Sequence, residues 1–157
     1  MNPAHVHLLL NHVLVTGAIV AAVLLAGGIV LRREPLVRTS AVLLVFAALV
    51  SAPVYLTGEP TEEMVEHRPE VSEAVIERHK QAAQLAIVPI VAVGVLALVA
   101  LVAFRRSTGV PWWLAVGMLL LSIGAAGLLV RSARLGGEIR HAEIRRGLDA
   151  GTLAPGD

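Results

Sequence analysis

Four long apolar segments constrain what this chain of 157 residues can fold into more than any other feature. They cover residues 8–31, 36–57, 82–104 and 112–134. A run of about 20 apolar residues is long enough to cross the hydrocarbon core of a bilayer as a helix. Only 16% of the residues are charged, whereas soluble domains carry about 25%. The sequence therefore predicts an all-α fold, a four-helix transmembrane bundle.

The connections between the segments predict the topology of this bundle. Two of them are short turns, so that consecutive helices run up-down-up-down. The third connection, residues 59–80, is longer and acidic, and we expect a loop there with a short helix over 62–67. A helical C-terminal extension follows the fourth span. We expect one four-helix membrane domain over residues 1–149 and a flexible tail over residues 150–157.

Counting the spans places every histidine on one side of the membrane. Four antiparallel helices bring both ends of the chain to the same side as the acidic connection. The six histidines all lie in these parts of the chain: His5, His7, His12, His67, His79 and His141.

The basic residues indicate which side this is. The two short turns and their flanks carry Arg32, Arg33, Arg38, Arg105 and Arg106. Arginine and lysine concentrate in cytoplasmic loops, so these residues indicate that the two short turns lie on the cytoplasmic side. Further basic residues beyond Val130 favour the opposite orientation. We give the first hairpin more weight and expect the termini and the histidines on the outer, periplasmic side.

Three histidines stand at the start of the first helix. Residues seven apart in a helix share a face, so His5 and His12 point the same way. His7 points elsewhere unless residues 5–7 are extended. His12 lies within the apolar segment, where ionisable side chains are costly and usually functional. We therefore interpret these histidines as metal ligands.

The fourth helix repeats small and charged residues at a spacing of seven: Gly117, Gly124, Arg131 and Glu138. Small residues mark the faces on which membrane helices pack closely, so we expect this stripe to face the bundle interior. Glu138 and His141 form a Glu-x-x-His pair, the ligand pair of di-iron and di-manganese sites in helix bundles. With His79 at the mouth of the third helix, they complete the ligand set that the residues themselves suggest.

Several motifs resemble an uncharacterised family of small bacterial four-helix membrane proteins. They are His5-x-His7-Leu8-x-Leu10-Asn11-His12, Pro53-x-Tyr55-Leu56-Thr57-Gly58, Glu62-Glu63, Glu77-x-His79 and Gly136-Gly137-x-Ile139-Arg140-His141-x-Glu143-Ile144. The resemblance implies a multi-pass protein of the bacterial inner membrane and adds Glu62 and Glu63 to the ligands. Lys80 follows His79 where the pattern has an acid, which removes position 80 from the ligand set.

The first functional hypothesis is an integral membrane metalloprotein with a multinuclear non-haem centre at one membrane face. Histidine and carboxylate ligands together suit Fe, Zn, Mn or Cu. The absence of cysteine excludes thiolate ligands. If the protein is an enzyme, it would be a metal-dependent oxidoreductase or hydrolase, and the sequence identifies no catalytic residue.

Two alternatives remain open. Histidines on different helices can also ligate the iron of haem b, which would make this an electron-transfer protein. The chain could equally be a structural subunit of a larger membrane complex. The expected partners are the lipid bilayer and either a second copy of the chain or a redox protein. The net charge of +1 gives no reason to expect a nucleic acid.

Overall fold

The protein consists of four long helices in the computed structural model, which describes the backbone of residues 3–66 and 73–140 and the side chains of residues 5–58 and 73–138. The helices are α1 (Pro3–Val30), α2 (Glu34–Glu66), α3 (Glu73–Ala103) and α4 (Trp112–Arg140). No strand occurs in these two parts of the chain. The predicted all-α fold is confirmed.

Each helix contains a segment that is long and apolar enough to cross a membrane. These segments are His5–Val30, Glu34–Gly58, Glu73–Ala103 and Trp112–Glu138. Their number and order match the predicted spans, and they are compatible with a multi-pass membrane protein.

The helices pack as a ring in which each contacts its two neighbours. α1 packs against α2 and α4, and α3 packs against the same two helices. At one end of the bundle, the turn between α1 and α2 lies beside the turn between α3 and α4. The opposite end holds the connection from α2 to α3, the start of α1 and the end of α4. We call these the turn end and the open end of the bundle.

The inward faces of the helices are built mainly from small residues. Alanine makes up half of the buried hydrophobic residues, including Ala21, Ala86 and Ala97, whereas large side chains such as Val88 and Leu120 are 71% and 66% exposed. Lipid tails are as apolar as leucine, so burying a large side chain gains little in a bilayer, and close packing of small residues holds the helices together instead.

Two glycines mark the closest approaches. A Cβ atom at Gly94 of α3 would collide with Ala48 Cβ on α2 and would lie 3.2 Å from the carbonyl oxygen of Leu44. At Gly28 of α1 it would lie 2.8 Å from Val37 Cγ2 on α2. α2 is thus in near-backbone contact with both of its neighbours.

The end of α1 explains the sharp first turn. The N–H of Arg33 donates to Gly28 O at 2.9 Å and that of Arg32 donates to Ile29 O at 3.3 Å, the hydrogen-bond pattern of a Schellman motif. Arg32 takes the left-handed position with φ 53°, where glycine is the usual residue. The chain then reverses directly into α2.

A polar cluster ties the two turns together. Glu34 Oε1 accepts hydrogen bonds from Arg38 Nε at 2.8 Å and from the backbone N–H of Val110 at 3.1 Å. Arg38 Nη2 donates to the carbonyl oxygen of Phe104 at 2.9 Å. One ion pair on α2 therefore satisfies backbone groups of the α3–α4 turn, and the two hairpins are held together at this end.

The structure differs from the sequence-based expectation around the acidic connection. α2 continues as one helix through Pro53 and Gly58 to Glu66, so Glu62 and Glu63 lie on its last turns and not on a separate short helix. α3 begins at Glu73, the residue at which the sequence, with Ser72 as a capping residue, predicts the start of the third helix. The helical segments on both sides of the connection are thus longer than the apolar pattern alone indicates.

The close approach at Gly94 generates a stability prediction. Gly94→Ala should lower the free energy of unfolding by about 1–3 kcal/mol, because the added methyl group must push α3 away from Ala48. Reversible unfolding by SDS in mixed micelles, followed by circular dichroism, measures this. The matched control is Gly27→Ala, where a Cβ meets no atom within 4 Å and alanine should be neutral or stabilising. Equal destabilisation by both variants would contradict the packing argument.

Candidate metal site

A cavity of about 110 Å³ lies between all four helices at the open end of the bundle. Its apolar floor consists of Leu14, Ile87, Ile90 and Leu129. The polar groups around it come from every helix: His7, Asn11, Ser51, Tyr55, His79, Lys80, Gln84 and Ser132. At about 30 Å³ per water molecule, the cavity has room for about three waters, or for a metal ion with two or three of them.

His7 enters the cavity from α1 and is held by α2. Its Nδ1 lies 3.1 Å from the carbonyl oxygen of Val54 and 3.2 Å from Thr57 Oγ1. The Thr57 hydroxyl donates its own hydrogen to Pro53 O at 2.7 Å, which leaves its oxygen as an acceptor. Both neighbours of His7 Nδ1 thus accept, so Nδ1 carries the proton.

His79 enters from α3 and is held in the same way by α4. Its Nδ1 lies 2.8 Å from the carbonyl oxygen of Ser132. A carbonyl oxygen can only accept, so Nδ1 is again the protonated nitrogen. Gly136 makes room for the ring, because a Cβ atom there would lie 3.2 Å from His79 Cε1.

These bonds define the chemistry that the two imidazoles can offer. A neutral histidine that donates from Nδ1 keeps the lone pair of Nε2 for a proton or a metal ion. Metal-binding histidines usually donate their other ring nitrogen to a carbonyl or carboxylate in this way, which fixes the tautomer and the ring orientation. His7 and His79 line the same cavity and both have this arrangement.

His5 and His12 lie outside the cavity. Because α1 begins at Pro3, the two histidines share a helix face, as the spacing of seven predicts, and this face is exposed. His12 Nδ1 lies 2.7 Å from Leu8 O of its own helix, which satisfies one ring nitrogen without any partner helix. His7, on the other side of α1, is the one that points inward.

The prediction that the glycine stripe of α4 faces the bundle interior is wrong. Gly117, Gly124 and Gly127 are exposed, and a Cβ atom at any of them would meet nothing within 4 Å. Arg131 and Arg134 share this outer face and are exposed. The inward face is the opposite one, which buries Met118, Ser122, Ala125, Leu129 and Ser132.

The remaining predicted ligands fall into two groups. Glu138 is half-buried and lies on the outer face of α4 with Arg131 and Arg134. The side chains of Glu62 and Glu63, and His141 as a whole, lie outside the described residues. Among the side chains of residues 5–58 and 73–138, no three His, Cys, Asp or Glu residues lie together as a metal-binding group.

Sequence reasoning missed the residues that hold the histidines. Ser132 looks unremarkable in the sequence and Gly136 appeared only as part of a motif, although their spacing of four places both on one face of α4. Thr57 and Gly58 appeared only as parts of a motif, yet Thr57 contacts His7 and a Cβ at Gly58 would lie 3.7 Å from the His7 ring. The available signal was a hydroxyl residue close to a glycine, adjacent on α2 and four residues apart on α4.

Comparisons of the chain with protein-family models, with curated proteins and with solved structures find no match.

The position of Gly136 generates a prediction about the tautomer of His79. Gly136→Ala should displace the ring from Ser132 O, since the new methyl group would press on Cε1. Solid-state ¹⁵N NMR of histidine-labelled protein in bilayers should then show the Nδ1–H signal of His79 shifted or split between tautomers. Gly137→Ala is the control, because a Cβ there meets nothing within 4 Å. An identical spectrum for both variants would contradict the assigned contact.

Proposed function

We propose that this integral membrane protein binds a transition-metal ion in the cavity at its open end, through Nε2 of His7 and Nε2 of His79. One observation carries the proposal: two histidines from different helices line one cavity, and each donates its Nδ1 hydrogen to a backbone carbonyl. A ligand histidine needs a fixed ring whose other nitrogen is held by an acceptor, and the Nδ1 bond to a backbone carbonyl provides this at both positions.

Two imidazoles do not complete the coordination of a metal ion. The acidic end of α2 is the candidate source of further ligands, because Glu62 comes four residues after Gly58, which lines the cavity. Four residues are about one helical turn, so the backbone of Glu62 stands one turn beyond the His7 contact. Glu62, Glu63 and His141 therefore stay in the proposed ligand set, together with water.

The size of the cavity favours an ion over haem. Pockets for organic molecules of drug size have volumes of about 300–1,000 Å³, and this cavity has about 110 Å³. Imidazole and carboxylate ligands suit Fe, Zn, Mn and Cu(II). Chemistry at such a site would be redox or hydrolytic, with open coordination positions facing the mouth of the cavity.

The packing of the bundle below the cavity favours a site where a metal ion stays bound over a path that carries ions across the membrane. Leu25, Leu44 and Met118 are fully buried and fill the axis between the cavity floor and the turn end. A permeating ion would need polar groups there, because charge is costly in the centre of a bilayer. The basic turns favour the cytoplasmic side, so we place the metal on the periplasmic face of a bacterial inner membrane.

Metal analysis of four single variants tests the proposal. We expect wild-type protein purified in detergent to hold about one metal ion per chain or more, with affinity reduced more than tenfold in His7→Ala and in His79→Ala, since each removes a ligand. His5→Ala and His12→Ala are the controls and should keep the wild-type metal content, because both side chains face outward. Inductively coupled plasma mass spectrometry measures the content and competition with a chelator measures the affinity.

Circular dichroism establishes that each variant is folded before its metal content is compared. Loss of metal from His12→Ala alone would move the site to the outer face of α1 and contradict the proposal. Wild-type protein without stoichiometric metal would also contradict it. A strong Soret absorption band in purified protein would replace it with the haem alternative.

A further inference from the structure

A second cavity, of about 240 Å³, lies on the outer surface of α4. It is lined by Gly127, Val130, Arg131, Arg134, Leu135 and Glu138. All of these residues belong to one helix, so the cavity opens to the surroundings of the bundle and not to its interior. It is separate from the proposed metal site and does not depend on it.

The glycines on this face are not required by the packing of the chain on itself. Glycine in a helix costs about 1 kcal/mol relative to alanine, and at Gly94 that cost is offset by close contact with α2. At Gly117, Gly124 and Gly127 a Cβ atom would meet nothing within 4 Å. Gly127 lines the second cavity, and Gly124 lies on the same face about one turn closer to the centre of the membrane. We call the strip formed by these two exposed glycines the groove.

The charged residues stand at the depth of lipid headgroups. Trp112 opens α4 at one membrane interface, where tryptophan is enriched. Arg131 follows 19 residues later, which corresponds to about 28 Å of helix and nearly matches a hydrocarbon core of about 30 Å. Arg131 and Arg134 therefore lie at the opposite boundary, and Glu138 lies about 6 Å beyond Arg134.

Arg131, Arg134 and Glu138 have no side-chain partner among residues 5–58 and 73–138. Among the residues whose side chains the structure describes, the ion pair is that between Glu34 and Arg38, and none of Arg131, Arg134 and Glu138 takes part in a hydrogen bond. Arg131 and Arg134 lie nearer to the hydrocarbon core, and Glu138 lies further out. This order of charges is complementary to a lipid headgroup that has its phosphate near the core and its amine further out.

We propose that this face of α4 binds a phospholipid with an aminoethyl phosphate headgroup. Arg131 and Arg134 bind the phosphate oxygens, as the guanidinium fork does in many proteins. Glu138 accepts hydrogen bonds from the primary ammonium group, and one acyl chain lies in the groove along Gly127 and Gly124. A glycerol headgroup has no cation for Glu138, and a choline headgroup has no N–H to donate.

A second copy of the chain fits this surface less well. Two copies in the same membrane would be related by a two-fold axis, which places the same residues of both copies against each other. Arg131 would then face Arg131 at the centre of the contact, and like charges repel. A zwitterionic lipid neutralises all three charges without this conflict.

Native mass spectrometry of the full chain in detergent tests the assignment. Phosphatidylethanolamine, phosphatidylglycerol and phosphatidylcholine with identical acyl chains are titrated separately. Wild-type protein should bind phosphatidylethanolamine at least about threefold more tightly than the other two, the scale of one exposed charge pair. Glu138→Gln should abolish this preference, and the double variant Arg131→Gln/Arg134→Gln should weaken binding of all three lipids.

The control is the double variant Arg105→Gln/Arg106→Gln, which removes two exposed arginines at the turn end and should keep wild-type lipid binding. An unchanged lipid preference in Glu138→Gln would overturn the proposal, as would an equal loss of binding in the two double variants. It would also be overturned if lipid-free wild-type protein were a dimer that Gly124→Leu converts to monomer, because a second copy would then cover the face.

Discussion

Close contact between helix backbones is the interaction on which the rest of this structure depends. In a bilayer, large apolar side chains gain little by leaving the lipid, so the inward faces carry alanine, glycine and serine. Gly94 against Ala48 and Gly28 against Val37 are the tightest examples. At the open end Leu14, Ile90 and Leu129 line a cavity between the helices, and the two histidines lie beside it.

The histidines also satisfy a requirement of their own. A polar group within the bundle must find a hydrogen-bond partner, because lipid offers none. His7 and His79 each use a carbonyl oxygen of the neighbouring helix, while His12 uses a carbonyl of its own helix. The first arrangement links two helices and holds the ring at the wall of the cavity. The second leaves the ring on the surface.

The sequence was sufficient for the four helices, their order and the end of the bundle at which His5, His7, His12 and His79 lie. The sequence was not sufficient to predict which face of each helix turns towards the bundle interior. In a soluble helix the polar residues mark the outer face, but here both faces are apolar, so residues that differ by 100° in direction look alike. Gly94 and Gly117 illustrate this, since one packs against α2 and the other meets no atom. The depth of His12 was equally ambiguous, because its own helix could supply the acceptor.

The two ends of the bundle differ in how the hairpins are joined. At the turn end, Glu34 and Arg38 of the first hairpin bind Val110 and Phe104 of the second. At the open end, His7 joins α1 to α2 and His79 joins α3 to α4, so each of these bonds lies within one hairpin. The cavity is the place where the hairpins meet, with one imidazole contributed by each. A metal ion held by both Nε2 atoms would therefore supply at the open end the link that the ion pair supplies at the turn end, and metal binding would stabilise the bundle as a whole.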